Sequence, residues 1–445
     1  MSSTKKTRKQ QQQQQEQVSA QKEVEEGQER ALLSEKLFPT QEIGSIAKPG
    51  WRVRGVSDDS KITEADIDEA EFWGKKLGVP DYQKLVSLLK SRSKSSATPS
   101  DEEKNAIRDF SVEYVLRMFE SVGLNRVYSG EQWRVEMYEH LVRNIRGFKL
   151  LGSVHSFDFK YFTKGAVVDL PRFEHPIHLE EFEFVKAHTR REVKIPITGP
   201  YTVVDWSFNE YYESEARKRS QSRAVDLRKT YFEARRRFIL DLVNNALRPE
   251  IEVLVKNGAN WIQIDEPAVT TRPDEEEMEL FVDAINALTR GFERCVFSVH
   301  NCYSDYKLLA RYAPKLKDIT QLALEFANRD STDLGVDKKS RPGYTDLKYF
   351  EKEGYEGGFG LGVVHVHDFS GSAGDGATVE GRNVIESPKL IRDRILFATK
   401  LLGDESRISV NPDCGLRTRT WDVAYRKLES MREGVELARK KVVVN

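Results

Sequence analysis

His300 and Cys302 stand one residue apart just after the apolar run Val296 to Val299, and Cys414 follows a second such run, Ile408 to Val410. In extended chain the side-chain period is two, so His300 and Cys302 point to the same face. Glu325 closes a third apolar run, Ile319 to Leu324. An imidazole, two thiols and a carboxylate make a donor set that suits zinc in tetrahedral geometry. Taken singly, a histidine or a cysteine is more often a packed core residue. Cys295 has that reading, because it opens an apolar strand with no polar neighbour of the right kind. A structural zinc site usually shows two short-spaced cysteine pairs, whereas ligands dispersed over several strand ends point to a catalytic metal. Two thiolates and a carboxylate around a dication leave one net negative charge, too electron-rich for strong activation of a carbonyl. Such a centre suits a thiol, whose free pKa of about 8.5 leaves it protonated at neutral pH. Coordination removes that proton, and the thiolate is the nucleophile. The predicted chemistry is alkylation of a small thiol.

These residues need a scaffold that gathers strand ends. Strands are expected at Val127-Tyr128, Val193 to Ile197, Trp261 to Ile264, Val296 to Val299, Ile319 to Leu324, Leu361 to Val366 and Ile408 to Val410, with one more near Ile43. Helical stretches fall near 215–256, 274–290, 303–315, 388–402 and 421–440. Alternation of strand and helix close to eight times predicts a single TIM (β/α)₈ barrel with insertions, in the α/β class, over residues 33–445. Polar residues follow the strands: Gly130-Glu131, Asp265-Glu266-Pro267, His300-Asn301-Cys302, Glu325 and Asn411-Pro412-Asp413-Cys414-Gly415. In such a barrel all these ends meet at one mouth. Ser100, with Glu103 three residues on, starts a helix whose apolar stripe runs from Ile107 to Val122 and stops at Gly123. The polar run Ser91 to Ser96 reads as a surface loop. Residues 1–32 carry a Lys/Arg cluster and six consecutive glutamines, Gln10 to Gln15. They cannot bury enough apolar surface to fold, and a disordered tail is expected.

Composition narrows the class of partner. The 445 residues carry 70 basic and 71 acidic side chains, so no overall field draws the chain to nucleic acid or an anionic membrane. No apolar run is long enough to cross a bilayer, and the N-terminus lacks the apolar core of a secretory signal. Three cysteines in so long a chain argue against a disulfide framework. A cytoplasmic protein with free thiols is expected.

In order and chemistry, Ile43-Gly44-Ser45, Gly130-Glu131, Thr198-Gly199-Pro200 with Trp206-Ser207-Phe208, Ile262 to Ala268, His300 to Ser304, Leu324-Glu325-Phe326 and Val410 to Leu416 resemble the cobalamin-independent methionine synthase family. The likeness is to its C-terminal catalytic barrel and spans about residues 40 to 440. It implies that His300, Cys302, Glu325 and Cys414 hold one zinc ion and that the acceptor is homocysteine. It further implies that Glu131 and Asp265 hold the substrate ammonium, that Ser45 and its adjacent backbone bind the carboxylate, and that Trp206 borders the methyl-donor pocket. His367 matches the proton donor to the leaving group, and His365 stands where the family usually has Asp. Taken alone, Asp265-Glu266-Pro267 could equally cap a loop.

The methyl donor stays open. Full-length members carry a second, N-terminal barrel that helps grip a folate, and this chain has no room for one. The segments Val269 to Pro273 and Ser370 to Gly376 also depart from the family pattern, the latter as a glycine-rich candidate lid. A methylated corrinoid protein, methylcobalamin, or a methylated folate or pterin each fits. Two rival readings stand beside homocysteine methylation. One is a zinc thiol-alkyltransferase acting on coenzyme M, against which Glu131 and Asp265 argue, since that thiol has no ammonium. The other is a non-catalytic zinc or thiol sensor.

Overall fold

The computed structural model describes residues 36–155, 161–220, 226–272, 274–302, 305–366, 378–379, 382–383 and 385–444. The tail 1–32, His367 and the Ser370 to Gly376 segment lie outside the described residues.

Among the described residues twelve strands are formed: β1 (Arg126–Val127), β2 (Arg146–His155), β3 (Tyr161–Arg172), β4 (Glu192–Val193), β5 (Ile195–Thr198), β6 (Trp261–Asp265), β7 (Val296–Asn301), β8 (Ile319–Leu324), β9 (Gly358–Val364), β10 (Thr378–Val379), β11 (Arg382–Asn383) and β12 (Ile408–Pro412). The strands β5, β6, β7, β8, β9 and β12 form one parallel sheet in that order. Closure comes from shorter pieces. Thr40 bridges Val410 on β12, Gln41 bridges Arg126 on β1, and β1 pairs in parallel with β4, which continues past Lys194 into β5. No strand forms at Ile43 itself; its place is taken by the bridges at Thr40 and Gln41, which complete an eight-membered (β/α)₈ barrel.

Strand parity explains what fills the barrel. Ile262 and Ile264 face the surrounding helices, while Gln263 and Asp265 face inward. Ser298, His300 and Cys302 share one inward row, and Gln321, Ala323 and Glu325 another. Many barrels fill this space with Val, Ile and Leu. Here it holds hydrogen-bonded polar groups: Gln41 Nε2 donates to Gln321 Oε1 at 2.9 Å, and Trp261 Nε1 to Ser298 Oγ at 3.2 Å.

Two insertions depart from the sequence reading. Helices Gly50–Gly55, Glu64–Leu77, Tyr82–Lys94 and Asp101–Ser121 pack together on the N-terminal side. The last begins with the Ser100/Glu103 capping box. Ser91 to Lys94 belong to the Tyr82–Lys94 helix rather than to a loop, because Leu85, Val86 and Leu89 anchor its inner face and the polar run is its outer end. The second insertion is the antiparallel ribbon β2–β3. Its burial does not alternate cleanly along β2, so periodicity alone could not reveal it. Among the described residues, no helix is long and apolar enough to cross a membrane.

Candidate active site

The ends of β7 and β12 bring three soft donors together. A ring nitrogen of His300 and the sulfurs of Cys302 and Cys414 lie within 4.8 Å of one another. His300 and Cys302 are buried, and Cys414 is half-buried. His300 Nδ1 lies 3.0 Å from the carbonyl oxygen of Ala323, its register partner on β8. A carbonyl only accepts, so Nδ1 carries a proton, which leaves Nε2 as the nitrogen that can ligate. Nε2 is buried and has no hydrogen-bond partner among the described residues. A histidine whose outer nitrogen donates to a backbone carbonyl while its other nitrogen faces two thiols has the arrangement of a metal ligand.

The electrostatics also call for a cation. Burial works against a charged imidazole, yet Cys414, Asp265 and Glu325 hold the pKa of His300 up at about 9. The Cys302 thiol is pushed well up by its hydrogen bond with Cys414, by burial and by Glu325. Glu325 is fully buried beside this trio but outside its 4.8 Å cluster. Its Oε2 accepts from Asn328 Nδ2 at 2.8 Å.

Asp413, next to Cys414 in the chain, holds the Glu325 loop in place. Its Oδ1 accepts the backbone N–H groups of Phe326 and Ala327, both at 2.9 Å, and its Oδ2 that of Asn328 at 2.7 Å. Sequence reasoning passed over this role. A carboxylate among Asn, Pro and Cys at a strand end was the available signal.

Asp265 and Glu266, adjacent on the chain, do different work. Glu266 Oε1 accepts from Tyr201 N at 2.9 Å, and its Oε2 from Thr202 N and Oγ1 at 2.7 and 2.6 Å. It thus caps the Pro200–Trp206 helix, and burial pushes its pKa up to about 7. Asp265 points inward with only 5% exposure and receives Gln263 Nε2 at 2.7 Å. The loop-cap reading of this motif holds for Glu266, while Asp265 faces the mouth.

Glu131 lies close enough to Asp265 that its charge adds to burial in raising the Asp265 pKa. Its backbone is left-handed at φ 58°, directly after Gly130 at φ 62°. A non-glycine residue held there costs on the order of 1 kcal/mol and is typical of sites where geometry is imposed by function. Ser129 Oγ accepts the Glu131 N–H at 3.0 Å, and Arg134 lies 3.7 Å from its carboxylate.

Ser45 sits between these parts. The Gly44-Ser45 turn lies against Gly415, next to Cys414, so closely that a β-carbon on Gly415 would stand 2.5 Å from Ser45 N. Only glycine permits that approach. On the other side Ile46 N donates to the Gly130 carbonyl at 3.2 Å. The turn is thereby tied both to the thiol strand and to the Glu131 loop. Trp206 is half-buried at the end of the Pro200–Trp206 helix, with its ring 5.9 Å from that of Tyr138. His365 is half-buried, and its backbone N–H donates to Glu386 Oε1 at 2.8 Å. Its carbonyl accepts from Lys427 Nζ at 2.9 Å. His367 falls outside the described residues.

Comparison with known proteins gives a consistent picture. The family described as "Cobalamin-independent synthase, Catalytic domain" matches residues 80–437. A methionine synthase of Pyrococcus horikoshii is 38% identical over 409 residues, covering 91% of this chain and 94% of that protein. One from Thermoplasma volcanium is 40% identical over 327 residues, covering 71% and 84%. Among solved structures, a B12-independent methionine synthase from Shewanella, in complex with selenomethionine, superposes with a TM-score of 0.64 at 19% identity. It covers 92% of this chain and 100% of that one. That likeness bears on the fold alone.

Proposed function

This chain belongs to the cobalamin-independent methionine synthase family and is a methyltransferase, and we propose that it methylates the thiol of L-homocysteine to give L-methionine, using one zinc ion held by His300, Cys302, Cys414 and Glu325. The observation that carries the metal site is the cluster of His300 and two thiols within 4.8 Å, with Nδ1 of His300 committed to Ala323. When bound, zinc supplies deprotonation of the substrate thiol at neutral pH.

The remaining residues orient the amino acid and control protons. Glu131 and Asp265 accept the substrate ammonium, and Ser45 with its turn receives the carboxylate, placing the thiol toward Cys414. Glu325, held by Asn328 and by the loop that Asp413 fixes, completes the donor set. Trp206 borders the methyl-donor pocket. His367 donates a proton to the leaving group, and the segment before it is braced at His365 by Glu386 and Lys427. The donor is a methylated corrinoid, free or protein-bound, or a methylated folate or pterin.

The test is anaerobic purification with metal analysis, followed by incubation with homocysteine and methylcobalamin, a methylated corrinoid protein or a methylated pterin, scoring methionine. Methionine formed with one of these donors is the expected result. Alkylation of coenzyme M with no methionine from any donor would overturn the acceptor assignment, and tight thiol binding with no turnover would favour a sensor.

A further inference from the structure

Lys194 is a buried cation of the barrel interior, linked to the proposed ammonium acceptor Asp265 through Gln263, and nothing in the chemistry above uses it. It lies between β4 and β5 with 0% exposure, over the ring of Tyr128 at 5.1 Å. Its ammonium donates to the carbonyl oxygen of Glu42 and, at 2.6 Å, to Oε1 of Gln263. On the other side of the same amide, Gln263 Nε2 donates to Asp265 Oδ1 at 2.7 Å and to the Ile43 carbonyl at 2.8 Å.

The chemistry of these groups admits one arrangement. An ammonium has only donors, and a carboxylate and a carbonyl have only acceptors. The Gln263 amide, with one oxygen and two N–H groups, must turn its oxygen to Lys194 and its nitrogen to Asp265 and Ile43. Its orientation is dictated chemically, where an isolated amide would be free to flip. A flipped amide would set a carbonyl oxygen against Asp265, favour a protonated acid there, and remove the anion that an ammonium requires.

The same two side chains also hold the other end of the site. Lys194 bonds the carbonyl of Glu42 and Gln263 that of Ile43, consecutive residues of the segment that runs into the Gly44-Ser45 turn. One hydrogen-bonded pair therefore fixes both the acceptor for the substrate ammonium and the approach to the carboxylate-binding turn.

We propose that Lys194, acting through Gln263, is a positioning residue that sets this enzyme's specificity for an α-amino-acid thiol, by locking Asp265 as a hydrogen-bond acceptor at a fixed distance from the Ser45 turn. The proposal rests on the assignment of Asp265 to the substrate ammonium made above. Lys194 touches neither substrate nor metal. Its loss acts on recognition of the zwitterion and leaves thiol activation in place. A site built around buried polar partners discriminates steeply against a ligand lacking the matching group.

The experiment compares L-homocysteine with γ-mercaptobutyrate, which keeps the thiol and carboxylate and lacks the amine, by calorimetric binding to zinc-loaded protein and by KM and kcat. Lys194→Met keeps side-chain length without charge. Gln263→Glu keeps shape and the contact with Lys194 but brings an oxygen against Asp265. Both are expected to weaken homocysteine binding about tenfold to a hundredfold, the range for a lost bond to a charged group. The effect should fall on KM more than on kcat and weaken homocysteine several-fold more than γ-mercaptobutyrate, with zinc content unchanged. Equal weakening of both thiols, or wild-type homocysteine affinity in a folded Gln263→Glu protein, overturns the proposal. Asp265→Asn separates the two layers of argument. If Asp265→Asn retains the wild-type preference for homocysteine, the ammonium assignment fails and the positioning role with it. If Asp265→Asn loses the preference while Lys194→Met and Gln263→Glu keep it, only the positioning role is refuted.

Discussion

The imidazole of His300 donates its Nδ1–H to the carbonyl oxygen of Ala323, 3.0 Å away on the adjacent strand. The two residues are register partners of β7 and β8, so the orientation of the ring is set by the barrel's own hydrogen-bonding frame. Nε2 is thereby turned toward the two thiols before any ion arrives. This preorganisation distinguishes a ligand from a core histidine, which would use both nitrogens for internal bonds.

Removal of a thiol is expected to release the metal. Cys302→Ser and Cys414→Ser each substitute a harder donor in a site built around sulfur, and zinc retention through dialysis should fall at least about a hundredfold. Metal analysis checks this. Full zinc content in both variants would show that the ion lies elsewhere.

Asp413→Ala is expected to damage the fold and the site together. It strands the backbone N–H groups of Phe326, Ala327 and Asn328, at a cost of about 3 kcal/mol in unfolding free energy. It also frees the loop that carries Glu325, which should weaken zinc binding about tenfold to a hundredfold. Denaturant unfolding and zinc titration measure the two effects separately.

Glu131→Gly should separate stability from function. Glycine adopts φ 58° without strain, so unfolding free energy is expected to stay level or rise by about 1 kcal/mol. KM for homocysteine should rise at least about tenfold as one ammonium partner is lost. A fall in stability with KM unchanged would assign Glu131 a structural role.

Acid should destabilise the protein through His140. Burial, together with His178 and Arg134, lowers its pKa from 6.5 to about 3, and its ring lies 5.3 Å from that of His178. Between those pH values the unfolded chain binds a proton that the folded chain refuses, so this group's contribution is lost as pH falls from 6.5 toward 3. The slope for one proton is about 1.4 kcal/mol per pH unit. His140→Phe should flatten the dependence of unfolding free energy on pH across that window.

How much of this was legible in the sequence follows from what each residue does locally. The convergence of His300, Cys302 and Cys414 could be read because each sits at or just past the end of an apolar run, and the barrel brings such ends to one mouth. The helix at 101–121 was legible from a cap and an apolar stripe that need only neighbouring residues. The β2–β3 ribbon was not, since its pattern is set by what it packs on and does not alternate. The Ser91 to Lys94 turn of helix was hidden because polar residues at a helix's outer end look like a loop. Lys194 announced itself only as a lysine between Val193 and Ile195. Its bonding partners Glu42 and Gln263 lie 152 and 69 residues away along the chain, and only closure of the barrel brings them together.

The central claim is that this chain binds homocysteine and strips its thiol of a proton. Calorimetric titration of homocysteine into zinc-loaded protein at pH 7, in two buffers of different protonation enthalpy, measures proton release directly. A thiol of pKa about 8.5 is almost fully protonated at that pH, so the account predicts close to one proton released per homocysteine bound. It predicts none from protein stripped of zinc or from Cys302→Ser. Binding to the zinc-loaded protein without proton release would contradict it.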